Sequence, residues 1–358
     1  MAVVWRRVVW GVCIVGLCFF GIPIRVHKSD ELNIEEMFKD FLQKYNKLYA
    51  TNETEYSRRY NYFKESLKLI EEMNKNRPTN QSALYGVTRY SDLSPEEFAE
   101  LHLQPSLPMH MNLSRLKGNQ NTHAYRPKHV NSIYKRALAD HLPSSVDWRK
   151  KNVITKVRNQ KTCGACWAFS TVETIESMYA IRKGTLQTLS VQELIDCAGY
   201  GNLGCEGGDT CSLLEWLIDN KTRIETDGKY PLTWTTQTCK LKGTEQGIQI
   251  TNFTCQYLVG SEEEILSYLY HHGPVSVAIN ALNWQNYLGG IIQFHCDASP
   301  QHINHAVQIV GYELNTEVPY YIVRNSWGPE FGDDGYLYIA VGENLCGLAT
   351  EVSTVDVQ

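Results

Sequence analysis

Apolar residues fall at Ile34, Met37, Phe38, Phe41, Leu42 and Tyr45, a spacing that predicts one face of an amphipathic helix. A second stripe, Tyr56, Tyr60, Phe63, Leu67 and Ile70, predicts a helix from about Thr54 to Lys75. Arg77-Pro78 ends it, because proline disfavours helical backbone in the residue before it. Tyr85 to Tyr90 reads as a short strand. Ser94-Pro95-Glu96-Glu97 reads as a helix start, with proline in the first turn and acids on the positive end of the dipole. From Gln104 to Lys135 the periodicity disappears and Pro, Asn, Ser and His dominate, so this stretch reads as a linker.

Helical spacing returns from Ala165 to Lys183, through Phe169, Val172, Ile175, Met178 and Tyr179, and Gly184 stops it. Ser190 with Glu193 and Ser261 with Glu264 read as capping boxes, and Gly273-Pro274 closes the helix after the second. Asp209 to Asn220 is a further helical run. After that the pattern changes. Val275–Ile279, Ala306–Tyr312, Tyr320–Arg324 and Tyr336–Ala340 are rich in β-branched and aromatic residues and predict strands. Helices first and strands later imply an α+β chain in two lobes with a cleft between them.

Composition divides the chain further. Arg6 and Arg7 precede an apolar run from Val8 to Ile22, which reads as a secretory signal peptide over residues 1–22; a signal anchor is the alternative. No later stretch is apolar enough to predict a stable membrane span. Of the 11 cysteines, Cys13 and Cys18 lie in that run and nine lie from Cys163 onward. A cysteine-free middle and a cysteine-rich remainder suit disulfides formed in an oxidising compartment. Sequons at Asn52, Asn80, Asn112, Asn220 and Asn252 are candidate glycosylation sites on the same route. The net charge of −5 splits into +2 for residues 1–22, +3 for 23–141 and −10 for 142–358. No basic stripe points to nucleic acid. A basic segment ahead of an acidic one is able to dock on it; unrelated solvated faces are the bland alternative.

Chemistry enters with Gln160-Lys-Thr-Cys163-Gly-Ala-Cys166-Trp167, which opens the long helix. A cysteine at a helix N-terminus feels the positive end of the dipole, which favours the thiolate a nucleophile needs. His305 follows 139 residues later and Asn325 another 20 on, within Asn-Ser-Trp-Gly. Two rival readings use the same cysteines: a redox pair Cys163-x-x-Cys166, which lacks the expected βαβ setting, and a zinc site from Cys163, Cys166, Cys197 and Cys205, which lacks a second close ligand pair.

With these motifs together, the chain resembles the papain family of cysteine peptidases over essentially its whole length after residue 22. The middle piece resembles that family's inhibitory propeptide through Glu55, Arg59, Phe63, Ile70 and Asn74, with Ser66 where the family has Asn, and then Gly86, Thr88, Tyr90 and Asp92. The resemblance implies a papain-like two-lobed fold, with a helical left lobe and a β-barrel-like right lobe, preceded by a mainly helical propeptide. After the signal read over 1–22, it implies a propeptide over 23–141 and a peptidase domain over 142–358. Cys166 would then be the nucleophile, His305 its acid and base, Asn325 the residue orienting His305, Trp327 a shield over that bond, and Gln160 an oxyanion donor. Gly207 and Gly208 would offer backbone to an extended peptide.

By the same resemblance, Cys163 pairs with Cys205, Cys197 with Cys239 and Cys296 with Cys346, leaving Cys211 and Cys255 as either a fourth bridge or two thiols. Asp209, Thr210, Glu351, Ile303 and Ala306 would line the pocket for the second residue before the cut, where Glu351 with Asp209 would admit Arg or Lys. Asn304 stands where many relatives have Asp, which removes a charge beside His305. Lys135-Arg136 is a candidate processing point, and Leu142-Pro-Ser-Ser resembles a mature start of the family. Acid would assist release by titrating the acids of the −10 segment, while the six propeptide histidines act in the other direction. Peptide substrates, the propeptide and cystatin-type inhibitors are the implied partners, with no cofactor and no metal, in a monomer of the secretory pathway or lysosome. A catalytically silent homologue used for binding is the rival, and it would be expected to have lost Cys166, His305 or Gln160. A bare inhibitor module is another, against which the complete C-terminal piece stands.

Overall fold

The computed structural model of this chain describes residues 32–75, 77–104, 142–243 and 246–358. Two compact units divide it: one formed by residues up to Leu69 together with Arg89–Ser94, the other by Ile70–Thr88 and Pro95–Gln358.

In the first unit, helix α1 (residues 32–44) packs on the first turns of α2 (Glu53–Asn74). The predicted stripes meet as rings: Phe63 lies 5.2 Å from Phe38 and 5.1 Å from Phe41, centroid to centroid, and Phe38 and Phe63 are fully buried. Asn52 accepts from the Glu55 N–H at 3.2 Å, satisfying one orphan donor of α2. A second anchor is polar. The buried Asp92 carboxylate accepts from Lys47 Nζ at 2.8 Å and Tyr49 OH at 2.6 Å, and its main-chain carbonyl accepts from Arg59 at 3.0 Å. Burying an acid is costly unless it is bonded in this way. This turn also explains why the strand expected over Tyr85–Tyr90 is short: residues 89–94 fold back to deliver Asp92 to its partners, leaving only β1 (Leu84–Tyr85).

In the second unit, the Asn74 amide closes on Tyr85, donating to its carbonyl at 2.8 Å and accepting its N–H at 3.1 Å. Helix α3 (Pro95–His102) follows, with acids Glu96 and Glu97 in its first turn, and β2 (Ser145–Asp147) comes after the undescribed stretch 105–141. Helix α4 (Cys166–Lys183) is buried over most of its length, and Gly184 at φ 70° terminates it. Around it stand α5 (Val191–Cys197), capped by Ser190 at 2.9 Å, and α6 (Thr210–Asp219), capped by Asp209 at 2.6 Å. The capping box expected at Ser261 does not form ahead of α7 (Glu263–His271). Glu262 turns inward instead and accepts from Gly342 N–H at 2.9 Å, Asn344 N–H at 2.6 Å and Tyr321 OH at 3.2 Å. Three tertiary donors outcompete one local cap.

Strands β3 (Ile250–Gln256), β4 (Val275–Ile279), β6 (Ile291–Ile292), β7 (His305–Glu313), β8 (Tyr320–Arg324), β9 (Tyr336–Ala340) and β10 (Glu351–Val357) form one sheet with β2. Its order is β3-β10-β4-β7-β8-β9-β6, with β2 on the far half of β7; only β6 and β9 run parallel. A separate pair joins β1 to β5 (Tyr287–Gly289). The sequence pattern does not mark β3 or β10. The latter is flanked by β3 and β4, so its polar Ser353 and Thr354 are buried and bonded across the ladder, Thr354 to Thr254 at 2.8 Å. Helix α4 packs against β7 and β10. That contact carries the N-terminus of α4 to the start of β7, and the two residues named for nucleophile and base sit at those ends.

Four disulfides are present among the described residues: Cys163–Cys205, Cys197–Cys239, Cys296–Cys346 and Cys211–Cys255. The last resolves the pair left open by the sequence as a bridge. Cys166 is the one free cysteine among the described residues.

Candidate active site

Cys166 is the first residue of α4, and Ala165 before it offers no side-chain cap. The helix start is therefore open to the sulfur rather than satisfied locally. The turn that makes this possible needs Gly164, whose N–H donates to the Cys205 carbonyl at 2.8 Å; a Cβ there would meet that oxygen at 2.7 Å. Burial pushes the Cys166 thiol up to about 12, against the opposing pull of the backbone N–H groups of Ala306, Trp167 and Cys166 itself. Burial of the sulfur in the covered site thus favours its protonated form.

His305 opens β7 and is fully buried. Its Nε2 lies 2.8 Å from Asn325 Oδ1. The same Oδ1 accepts from the Ser326 backbone N–H at 2.8 Å, so the oxygen end of the Asn325 amide is assigned by an unambiguous donor. His305 Nε2 must then carry a hydrogen, and in the neutral ring Nδ1 is the acceptor. Nδ1 is buried and has no hydrogen-bond partner among the described residues. The tautomer is thus the one a proton acceptor for a thiol requires. Burial lowers the imidazole to about 4, with the Asn325 bond opposing it and His102 adding to the drop. Rings enclose it: Trp327 lies 5.0 Å away at 35° and Trp284 5.9 Å away, edge-on.

From Asn325 the bonding continues. Ser326 Oγ donates to Gln160 Oε1 at 2.6 Å, which leaves the Gln160 NH₂ as the group turned toward the site. Gln160 is fully buried, and its Nε2 donates to the Cys163 carbonyl at 3.1 Å and the His102 carbonyl at 3.3 Å. Sequence reasoning did not single out Ser326 or Trp284. Ser326 sits inside the Asn-Ser-Trp-Gly motif, but only the fold shows that it joins Asn325, through its backbone N–H, to Gln160, through its hydroxyl.

The segment at the end of α3 covers these groups. Besides the His102 carbonyl on Gln160, the Gln104 N–H donates to the Asn304 carbonyl at 3.0 Å, and Gln104 Oε1 accepts from the Gly208 N–H at 3.1 Å. Phe98 meets Trp327 edge-on at 5.4 Å, and His102 Nδ1 lies 3.1 Å from the Lys161 carbonyl. Gln104 is buried, so the linker does not begin there as the sequence implied; a buried amide with two partners is part of the packed unit. The two glycines also differ. Gly207 spends its carbonyl on Leu203 N–H at 2.8 Å within its own loop, whereas Gly208 presents N–H to Gln104. A side chain at Gly208 would strike the Trp167 ring at 2.5 Å.

Three of the residues expected to line the pocket, Asp209, Thr210 and Glu351, come together. Thr210 Oγ1 donates to Glu351 Oε1 at 2.6 Å, and both are buried. Asp209, Cys211 and Glu351 place oxygen or sulfur atoms within 4.8 Å of one another. Cys211 is committed to its disulfide, so the reactive part of this cluster is a carboxyl pair. Burial, then the Asp209 charge, push Glu351 well above the usual carboxylate range, while Thr210 opposes them. Ala306 is buried, and half-buried Ile303 lies against Gly347. Asn304 is held by Ala281 N–H on Oδ1 at 2.9 Å and donates to Asn280 at 3.2 Å.

Sequon residues Asn52, Asn80, Asn220 and Asn252 are exposed, and Asn112 lies outside the described residues. So do residues 1–22 and the stretch around Lys135-Arg136. No helix among the described residues is long and apolar enough to cross a membrane.

Comparison with known proteins agrees with this geometry. The profile of the papain family cysteine proteases matches residues 142–355, and that of the cathepsin propeptide inhibitor domain matches residues 38–98. The chain belongs to the papain family of cysteine proteases, with a propeptide inhibitor domain ahead of the peptidase domain. Among individual relatives, cathepsin O of Homo sapiens is 39% identical over 295 residues, covering 82% of this chain and 86% of that protein. Cathepsin O of Mus musculus is 38% identical, covering 77% and 83%. Of solved structures, a digestive procathepsin proteinase from the larval midgut of Tenebrio molitor superposes with a TM-score of 0.75 at 29% identity, covering 90% of this chain and 99% of that one. A recombinant stem bromelain precursor gives 0.73 at 28%, with the same coverage. The papain-like fold with its propeptide is thereby established.

Proposed function

We propose that this protease is an endopeptidase made as a zymogen, in which Cys166, His305, Asn325 and Gln160 perform the chemistry. The observation that carries the reading is His305 held through Nε2 by Asn325 with Nδ1 left as a buried acceptor. In the uncovered site His305 Nδ1 takes the Cys166 proton, and the helix start and Ala306 N–H favour the resulting thiolate. The sulfur attacks the scissile carbonyl carbon. The developing oxyanion is met by Gln160 Nε2 and the Cys166 N–H. His305 returns the proton to the leaving amine as the C–N bond breaks, giving a thioester. Water, deprotonated by His305, then attacks the thioester and releases the acid and the thiol.

Residues 1–22 are assigned as a signal, 23–141 as the inhibitory propeptide and 142–358 as the peptidase. Four disulfides support passage through an oxidising compartment, and an acidic one such as the lysosome is the proposed place of work. Asp209, Thr210, Ile303, Ala306 and Glu351 are assigned to the substrate pocket, Gly207 and Gly208 to its backbone edge, and Trp327 to shielding His305.

A thiol-directed epoxide inhibitor tests the proposal. The processed protein should be labelled on Cys166 alone, and Cys166→Ser should abolish labelling. Active protein without label on Cys166 would sink the reading.

A further inference from the structure

We propose that Gln308 and Glu173, joined through Arg324, are positioning residues for the catalytic group. The inference rests on the assignment of Cys166, His305 and Asn325 made above. Those three side chains come from three elements, and each element carries one member of a buried polar brace. Glu173 is seven residues after Cys166 on α4, two turns or about 10 Å along the axis. Gln308 is three residues after His305 on β7, and Arg324 immediately precedes Asn325 at the end of β8.

The brace is directional. Gln308 Nε2 donates to the Glu173 carbonyl and to Ser177 Oγ, each at 3.0 Å, which fastens β7 to the backbone and side chains of α4. Its other end, Oε1, accepts from Arg324 Nη1 at 3.4 Å. Arg324 Nη2 lies 3.4 Å from Glu173 Oε1 and also donates to Thr155 Oγ1 at 3.0 Å and the Lys156 carbonyl at 2.7 Å. Thr155 Oγ1 donates onward to Glu176 Oε2 at 2.6 Å, and Arg158 pairs with Glu176 at 3.0 Å. Two arginines thus face two glutamates. Glu173, Glu176, Gln308 and Arg324 are each at most 1% exposed.

Stability does not account for such an arrangement. Replacing a buried ion pair by apolar residues of similar volume is often neutral or favourable. What apolar packing lacks is direction. The Gln308 hydrogen bonds set the register of β7 on α4, and the Arg324–Glu173 ion contact holds the end of β8 to the same helix. Together they set the approach of His305 Nδ1 to the Cys166 sulfur, where an error of about 1 Å is able to cost about a hundredfold in rate.

The test compares processed wild-type enzyme with Gln308→Leu and Arg324→Lys, and with Leu217→Ala as a control that removes core packing on α6 without removing a hydrogen bond or ion pair of the brace. The brace variants should lose about tenfold in kcat with KM changed less than about twofold. The acid limb of kcat/KM and the thiolate ultraviolet absorbance should move to higher pH, because the pair forms less readily. The control should lower Tm without moving either. Wild-type limbs and kcat in both brace variants would overturn the proposal, as would an equal displacement in Leu217→Ala. Should Gln308→Leu not fold, Arg324→Lys, which keeps the charge on a shorter and less directional group, decides alone. Wild-type enzyme that takes no label on Cys166 would instead overturn the catalytic assignment itself, an outcome separable from the others.

Discussion

The side-chain amide of Gln160 donates to the main-chain carbonyl of His102 across 3.3 Å, so the donor assigned to the oxyanion is already occupied by the chain's own backbone. Gln104 repeats the device at Gly208 and Asn304. Removing one such buried bond costs about 1 kcal/mol, close to a fivefold change in an equilibrium. Gln104→Ala in the unprocessed chain should therefore raise the rate of epoxide labelling of Cys166 several-fold. Labelling as slow as wild type would show that Gln104 does not help to close the site.

Covering the site also sets its charge. With the thiol pushed up to about 12 and the imidazole down to about 4, both are neutral between those values. The sign for stability follows from linkage. The contribution of His305 is fully present above the unfolded histidine value near 6.5 and is lost as pH falls toward about 4, since the unfolded ring takes up the proton first. The buried acids Glu262 and Glu351, with raised values, have the opposite sign: their contribution is present below about 4.5 and lost as pH rises. An imidazole NMR titration of His305 in the unprocessed chain should have its midpoint near pH 4 and move upward after processing. A midpoint near 6.5 before processing would contradict this account.

The Glu351–Asp209 pair predicts a pocket whose preference depends on pH. With Glu351 protonated the pocket suits apolar residues; as pH rises and it ionises, an Arg or Lys gains an ion-pair partner. The ratio of kcat/KM for matched Arg and Leu substrates should climb with pH in wild type and stay flat in Glu351→Gln. Equal slopes in the two proteins would dismiss the role of Glu351.

The Cys211–Cys255 bridge closes a separation of 44 residues and ties the start of α6 to β3. A loop of that size contributes about 2–4 kcal/mol. The double variant Cys211→Ser/Cys255→Ser should lower Tm by roughly 5–15 °C in calorimetry, taking about 2–4 °C per kcal/mol for a domain of this size. An unchanged Tm would remove the bridge from the account of stability.

Much of the site was legible because its motifs are local. Cys166 is marked by its place at the start of a helical run, and Gln160, His305, Asn325 and Gly208 are candidates through the family resemblance of their motifs. The strands Tyr320–Arg324 and Tyr336–Ala340 are marked by their β-branched and aromatic runs. The Ser261 cap misled, since a local signal lost to three tertiary donors on Glu262. Strand β10 was missed because neighbouring strands, rather than apolar side chains, bury its Ser and Thr.

The sequence alone determined the helical stripes and the glycine and proline stops, set by neighbours within a few residues, and through its family resemblance it supplied the candidate nucleophile and partners. Only the tertiary structure decided that Cys211 bonds Cys255, that Gln104 belongs to the packed unit, which His305 nitrogen carries hydrogen, and that Gln308, Glu173 and Arg324 meet. Those are contacts between residues far apart in the chain, and their geometry exists only once the strands have chosen their order.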